Sequence, residues 1–143
     1  MRSIFVFILL LAATSVYSQK WYTNYTEAQK QATKQGKNIV MVFSGSDWCA
    51  PCIKLEKEIW QSNEFKQFAE KHWILVKVDF PRTRKNKLPK PQLKHNENLA
   101  SKHNKKGYFP MVVLLSPEGK TLGKTGYKKM APLAYINHLK SFK

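Results

Sequence analysis

Cysteine occurs only twice in the 143 residues, at positions 49 and 52, glycine six times, and acidic residues nine times against 25 lysines and arginines. With two cysteines three positions apart, the single disulfide available closes a four-residue ring. In the chain-entropy model such a ring stabilises a fold by only about 2 kcal/mol, so a staple is a weak reason for the pair. A zinc site would need two more ligands from His72, His95, His103 and His138, none of which stands at the usual paired spacing. The longest apolar run, Ile4 to Ala13, is about ten residues where a membrane span needs roughly twenty. No internal repeat is present.

Scarcity of acid leaves a net charge of +16, much of it concentrated in one segment. Between Arg82 and Lys106 stand nine lysines or arginines (Arg82, Arg84, Lys85, Lys87, Lys90, Lys94, Lys102, Lys105 and Lys106) and one acid, Glu97. Such a segment is either a solvated loop and helix face or a patch for an anionic surface lipid, a polysaccharide or an acidic partner. Nucleic acid is excluded as a partner because no stacking pattern of aromatics runs through it and because the chain reads as exported. Met1-Arg2-Ser3, the apolar run and small residues up to Ser18 make a secretory signal peptide over residues 1–18, with cleavage after Ser18 or, as second choice, Ser15. Export to the periplasm or the exterior places the cysteines where a disulfide can persist. The remaining 19–143, with the hydrophobic fraction of the whole chain at 43% and the aromatic fraction at 13%, suffice for one domain and one core.

Both cysteines lie in Ser44-Gly45-Ser46-Asp47-Trp48-Cys49-Ala50-Pro51-Cys52-Ile53-Lys54. The run before it, Asn38 to Phe43, reads as a buried strand. After it, Ile53, Leu55, Ile59 and Trp60 repeat at helical spacing, and Pro51 is tolerated only in a first turn. Cys49 therefore stands at a helix N-terminus, where backbone N–H groups and the helix dipole favour a thiolate. Cys52 falls on the same face, one turn deeper. A thiolate at Cys49 would open a substrate disulfide, and Cys52 would resolve the mixed disulfide. Asp47 is expected to cap this helix.

Along the rest of the chain, Asn24 to Gln35 reads as a helix opened by Asn24 with Glu27 and stopped by Gly36. Ser62-Asn63 caps a further turn or helix, or a kinked continuation, carrying Phe65, Phe68 and Ala69. Trp73 to Asp79 is a second buried strand, and proline-rich 81–91 a loop. A helix over Gln92 to His103 turns Leu93, Asn96, Leu99 and Ala100 inwards. Met111 to Leu115 and Thr121 to Gly126 form strands joined by the turn at Pro117-Glu118-Gly119-Lys120. A last helix over Pro132 to Phe142 repeats Leu133, Ile136 and Leu139.

Trp48-Cys49-Ala50-Pro51-Cys52 resembles the W-C-x-P-C active-site motif of the thioredoxin superfamily, and the likeness extends over about Trp21 to Phe142. It is similar to secreted single-domain thioredoxin-like proteins and to the C-terminal domain of the transmembrane reductase DsbD. The resemblance implies an α/β thioredoxin fold, a mixed central sheet with helices on both faces, which the element order fits. It further implies that Cys49 and Cys52 are the catalytic, redox-active pair, with Trp48 flanking the reactive sulfur and Pro51 within the motif. Pro110, just before a strand, corresponds to the family's cis-proline beside the cysteines, which puts Phe109 and Met111 on the substrate groove or, more plainly, in core space. The loop and helix over about 81–106 are longer than thioredoxins usually carry.

Where thioredoxins typically keep a buried acid, six residues before the first cysteine, this chain has Phe43. Glu56 matches an acid in the Cys-x-x-Cys-Lys-x-x-Glu pattern of the DsbD domain, and either receives the Cys52 proton or is an ordinary surface residue. The apolar Ala-Pro pair favours a reductant at the lower end of the roughly −270 to −120 mV range, while Lys54 and the basic surface favour thiolate and push the other way. The expected activity is thus disulfide reduction or isomerisation on exported proteins, without cofactor or metal, by a monomer recharged by a membrane electron donor of the DsbD type. A non-catalytic exported module using the basic face on an anionic polymer or acidic partner is the alternative.

Overall fold

A computed structural model describes residues 19–142; the expected signal peptide over residues 1–18 lies outside the described residues. Strands β1 (Trp21–Tyr22), β2 (Asn38–Ser44), β3 (Trp73–Asp79), β4 (Met111–Leu115) and β5 (Thr121–Thr125) form one sheet in the order β1-β3-β2-β4-β5. β3 runs parallel to β1 and β2, whereas β4 runs antiparallel to β2 and β5 antiparallel to β4. Helices α1 (Tyr25–Gln35), α2 (Ala50–Leu55), α3 (Asn63–His72), α4 (Lys90–His103) and α5 (Pro132–Lys140) cover it. This is the mixed α/β thioredoxin arrangement the sequence led us to expect.

Strand alternation explains the layers, because successive side chains leave opposite faces of a sheet. Val40, Val42, Leu75, Val112 and Leu114 meet Leu55, Ile59, Trp60, Phe65, Tyr135 and Leu139, so α2, α3 and α5 pack on one face. Ile39, Met41, Phe43, Ile74, Val76, Val78 and Val113 meet Ala28, Ala32 and Leu99, so α1 and α4 pack on the other. The two alanines of α1 let that helix lie close to the sheet. In the first layer Trp60 touches the rings of Trp21, Phe65 and Tyr135 at centroid distances of 5.7, 4.5 and 5.7 Å. Truncating so large a buried ring to alanine costs about 3–5 kcal/mol.

Helix ends follow their local chemistry. Asn24 caps α1 through the Glu27 N–H, and Gly36 ends it in the left-handed region at φ 63°. Ser62 caps α3 through the Phe65 N–H, so the segment after the cysteines is a separate helix. Between them, α2 widens into a π turn over Glu56–Trp60.

Several expectations need correction. α4 starts at Lys90, two residues before the expected Gln92, because Pro91 occupies its first turn, where no N–H is needed. Leu93, Ile53 and Leu133 point outwards, being 37%, 48% and 60% exposed. The other residues of those faces, Leu55, Ile59, Trp60, Leu99, Ile136 and Leu139, are buried as expected, and Tyr135 joins them. The short strand β1 carries no strand-length apolar run and was not expected.

His103, at the end of α4, is only 3% exposed, and its Nε2 has no hydrogen-bond partner among the described residues. Tyr25 lies against its ring, and Lys124 bonds its carbonyl oxygen at 2.6 Å. Burial first, then the charges of Lys102 and Lys124, lower its pKa below the ordinary 6.5. The unfolded chain therefore binds this proton more readily than the folded one, so the stability it safeguards is whole above pH 6.5 and is lost as pH falls through the lowered folded value. Denaturation midpoints followed from about pH 7.5 down to 5 are expected to fall less steeply in His103→Leu than in the parent protein. Parallel curves would acquit His103.

Candidate active site

β2 is paired on both edges and buried along nearly its whole length, so its end at Ser44 is a fixed point. Gly45 follows, and a Cβ there would collide with the indole of Trp48. Glycine thus lets the ring lie flat against the chain, where its Nε1 donates to the Phe80 carbonyl at 2.8 Å. The turn closes with the Cys49 N–H bonded to the Gly45 carbonyl at 2.9 Å.

Cys49 is the N-cap of α2, and Pro51 stands in the first turn as the sequence led us to expect. Cys49 and Cys52 form a disulfide with their Cα atoms 5.2 Å apart. The Cys52 N–H points at the Cys49 sulfur at 3.4 Å and the Gly45 N–H at the Cys52 sulfur at 3.5 Å. Both sulfurs therefore have a backbone donor in place for negative charge, which is what a leaving or attacking thiolate needs. At 5% and 3% exposure the pair presents only a narrow edge to solvent.

The Phe109–Pro110 peptide bond is cis, and Pro110 is buried next to β4. Phe109 and Met111 are half-buried against the α1/α4 layer, so both fill core space while keeping one side free. Phe109 meets Trp48 edge-on at 5.5 Å and Phe80 at 5.6 Å. Asn104, buried, accepts the Tyr108 N–H at 3.0 Å and donates to the Tyr108 carbonyl at 2.8 Å. That two-sided clamp fixes the approach to Pro110. Sequence reasoning missed it, although an asparagine three residues ahead of a Gly-Tyr-Phe-Pro turn is the kind of side chain that bonds nearby backbone.

Asp47 does not cap α2. Its carboxylate accepts the N–H groups of Arg82 and Thr83 at 2.9 and 3.0 Å, the Thr83 hydroxyl at 2.5 Å and the Asn86 amide at 3.1 Å. The Thr83 hydroxyl first, then these other donors, hold its pKa far below the usual carboxylate range. A loop that looked free in sequence is thereby tied two residues from Cys49, and the Arg82 guanidinium lies 3.7 Å over the Trp48 ring. Nothing in the local sequence links positions 47 and 83; only the fold brings them together.

Phe43 packs into the α1/α4 layer, on the face away from α2. The ground beside Cys52 is a cavity of about 330 Å³ lined by Ser44, Ser46, Ile53, Glu56 and Lys77 among others. Glu56 pairs with Lys77 at 2.8 Å, with 36% and 27% of the side chains exposed, and accepts the Gln61 amide at 2.6 Å. Its partner comes from β3, not from its own helix. The histidines stand apart: His95 accepts the Tyr25 N–H at 3.2 Å, His72 stacks on Phe68 at 4.2 Å and His138 bonds Thr125 at 2.9 Å. Among the described residues no group of three or more potential ligands could hold a metal ion, and no helix is long and apolar enough to cross a membrane.

A family profile described as "Thioredoxin-like" matches residues 20–117. The chain belongs to the thioredoxin-like family. Over 120 residues, 84% of this chain and 70% of the other, this thioredoxin-like protein is 39% identical to the disulfide bond reductase DsbH of Chlamydia pneumoniae. It is 31% identical over 107 residues to the thioredoxin-related protein DsbJ of the same organism, of which it spans only 30%. A solved structure of a DsbH oxidoreductase superposes with a TM-score of 0.79 at 38% identity, covering 87% of this chain and 83% of that one. A disulphide isomerase from Xylella fastidiosa, at 19% identity, 81% coverage of this chain and 86% of that one, and a TM-score of 0.61, shares the fold. With its cysteine pair bonded at the head of α2, this thioredoxin-like chain is a thiol–disulfide oxidoreductase.

Asp47→Ala is expected to release the 82–87 loop and raise the rate of tryptic cleavage at Arg82, Arg84 and Lys85 by about an order of magnitude, through easier local opening. Unchanged cleavage kinetics, read by mass spectrometry of the fragments, would mean that the four bonds to Asp47 do not restrain the loop.

Proposed function

We propose that the protein is a reductase for disulfides of exported proteins, with Cys49 as nucleophile and Cys52 as resolving thiol. The Cys49 thiolate attacks one sulfur of a substrate disulfide, forming a Cys49–substrate disulfide and expelling the other substrate sulfur as thiolate. The Cys52 thiolate then attacks Cys49, releasing the second substrate thiolate. Two electrons have passed to the substrate, and the Cys49–Cys52 disulfide is left. Restoring the dithiol takes two electrons, which outside the cytoplasm calls for a membrane electron donor of the DsbD type. Trp48 and cis-Pro110 border the reacting sulfurs, and Phe109 and Met111 offer an apolar wall to an extended substrate.

The observation that carries this reading is the bonded cysteine pair, with a backbone N–H aimed at each sulfur. Kinship with a protein named disulfide bond reductase supports the reducing direction, as does the apolar Ala50-Pro51 pair. Export rests on the composition of residues 1–18, and the domain acts as a monomer after that segment is removed.

Insulin reduction with dithiothreitol as donor is expected to fall to the uncatalysed rate in Cys49→Ser, while Cys52→Ser accumulates a mixed disulfide with substrate. Turnover by Cys49→Ser at the parent rate would overturn the assignment. The reduction potential is expected near −270 mV, by analogy with reducing members of the range, and not near −120 mV.

Glu56, held at the cavity beside Cys52 by Lys77, is assigned to receive the Cys52 proton as that thiol attacks. In Glu56→Gln the loss of a neighbouring negative charge is expected to move the Cys52 titration to lower pH, while the loss of the proton acceptor slows the resolving step by about 10²-fold, the lower end of general-base contributions. Superimposable titration curves would leave Glu56 an ordinary partner of Lys77.

A further inference from the structure

Among the grooves on the described surface, one is joined to the active site through Arg82 and is unused by the chemistry above. It has a volume of about 380 Å³ and is lined by Pro81, Arg82, Thr83, Arg84, Lys87, Leu88 and Leu93. Leu88 is half-buried and Leu93 is 37% exposed, an apolar floor that no other part of the described chain covers. Arg82, Arg84 and Lys87 stand exposed around it. The nearby acid, Asp47, bonds four neutral donors of the same loop and makes no ion pair with these cations among the described residues, so three positive charges face its single negative one.

Arg82 belongs both to this groove and to the redox site, since its guanidinium lies on Trp48, which in turn meets Phe109 ahead of cis-Pro110. The anchoring by Asp47 keeps that junction in place, so what occupies the groove is aligned with what reacts at Cys49. Cations around an apolar floor complement a segment that carries carboxylates beside an aliphatic or aromatic side chain.

We propose that this groove binds the stretch flanking the substrate's reactive cysteine, and that the enzyme selects disulfides in acidic-apolar sequence contexts. The proposal deepens the reductase reading and rests on it. Arg82 and its neighbours thereby set specificity: the carboxylates steer the substrate in, the apolar residue seats on Leu88 and Leu93, and the disulfide comes to lie against Cys49. Rim charges of this kind act chiefly on association and fade with salt.

Two disulfide-bridged peptides, alike except for a Glu-Leu-Glu or a Lys-Leu-Lys flank, supply the test under dithiothreitol recycling. At low ionic strength kcat/KM is expected to favour the acidic peptide by about tenfold or more, through KM, and the ratio to shrink as salt rises. R84E/K87E is expected to bring the ratio to one or below, while charge reversal on the remote α1 face, K30E/K34E, leaves it near the parental value. Equal rates on both peptides, or the same fall in both double variants, would overturn the groove as a specificity site, the second result pointing to the general field of a basic protein. Retention by phosphatidylglycerol vesicles together with a peptide ratio near one would mark the patch as a surface-attachment face, against the proposal. Failure to reduce either peptide or insulin would strike the reductase reading itself. Thermal melts of each variant verify that the fold is intact.

Discussion

The structure depends on the rigidity of β2. It is hydrogen-bonded to β3 on one edge and β4 on the other, and its side chains alternate between two dry layers, so neither sliding nor tilting is possible without opening both. Its end is thus a fixed point. The attacking cysteine is hung within a few residues of it: Gly45, which makes room for Trp48, then the turn that places Cys49 at the start of α2. Preorganisation of this kind matters for thiol–disulfide exchange, where three sulfurs must align and the departing one must find a donor.

A scarcity of acid shapes the rest. With nine acidic residues in the chain, each well-placed carboxylate stands out. Asp79 accepts the Ser46 N–H at 3.0 Å at the end of β2, Asp47 holds the basic loop, and Glu56 meets Lys77 beside Cys52. All three converge around the cysteine pair. The surface beyond is left strongly cationic, and the loop from Pro81 to Pro89 is tied beside the site by its bonds to Asp47 and by Arg82 on the Trp48 ring.

How much was legible depended on the range of the interaction. Elements whose ends rest on local chemistry, such as α1 between Asn24 and Gly36 or the strand before the cysteines, were read nearly to the residue. The inward faces of the outer helices were read too, since Asn96, Leu99, Ile136 and Leu139 are buried, but not where each face begins: Leu93 and Leu133, near the starts of α4 and α5, lie beyond the edge of the packed layer. β1 eluded reading because two residues pair only through the edge of β3.

By itself, the sequence determined that one end of a buried strand would deliver two cysteines to a helix start, since apolar alternation, a proline in the first turn and three-residue spacing act over a few residues. It likewise determined the charge. The tertiary structure alone decided what surrounds those sulfurs. That Asp47 restrains the loop and does not cap α2, that Lys77 reaches Glu56 from another element, and that Arg82 lies on Trp48 are contacts across 20 to 40 positions of chain, with |i−j| of 35 for the first and 21 for the second. Such pairs are chosen by how packed layers bring distant backbone together, which no local pattern of residues encodes.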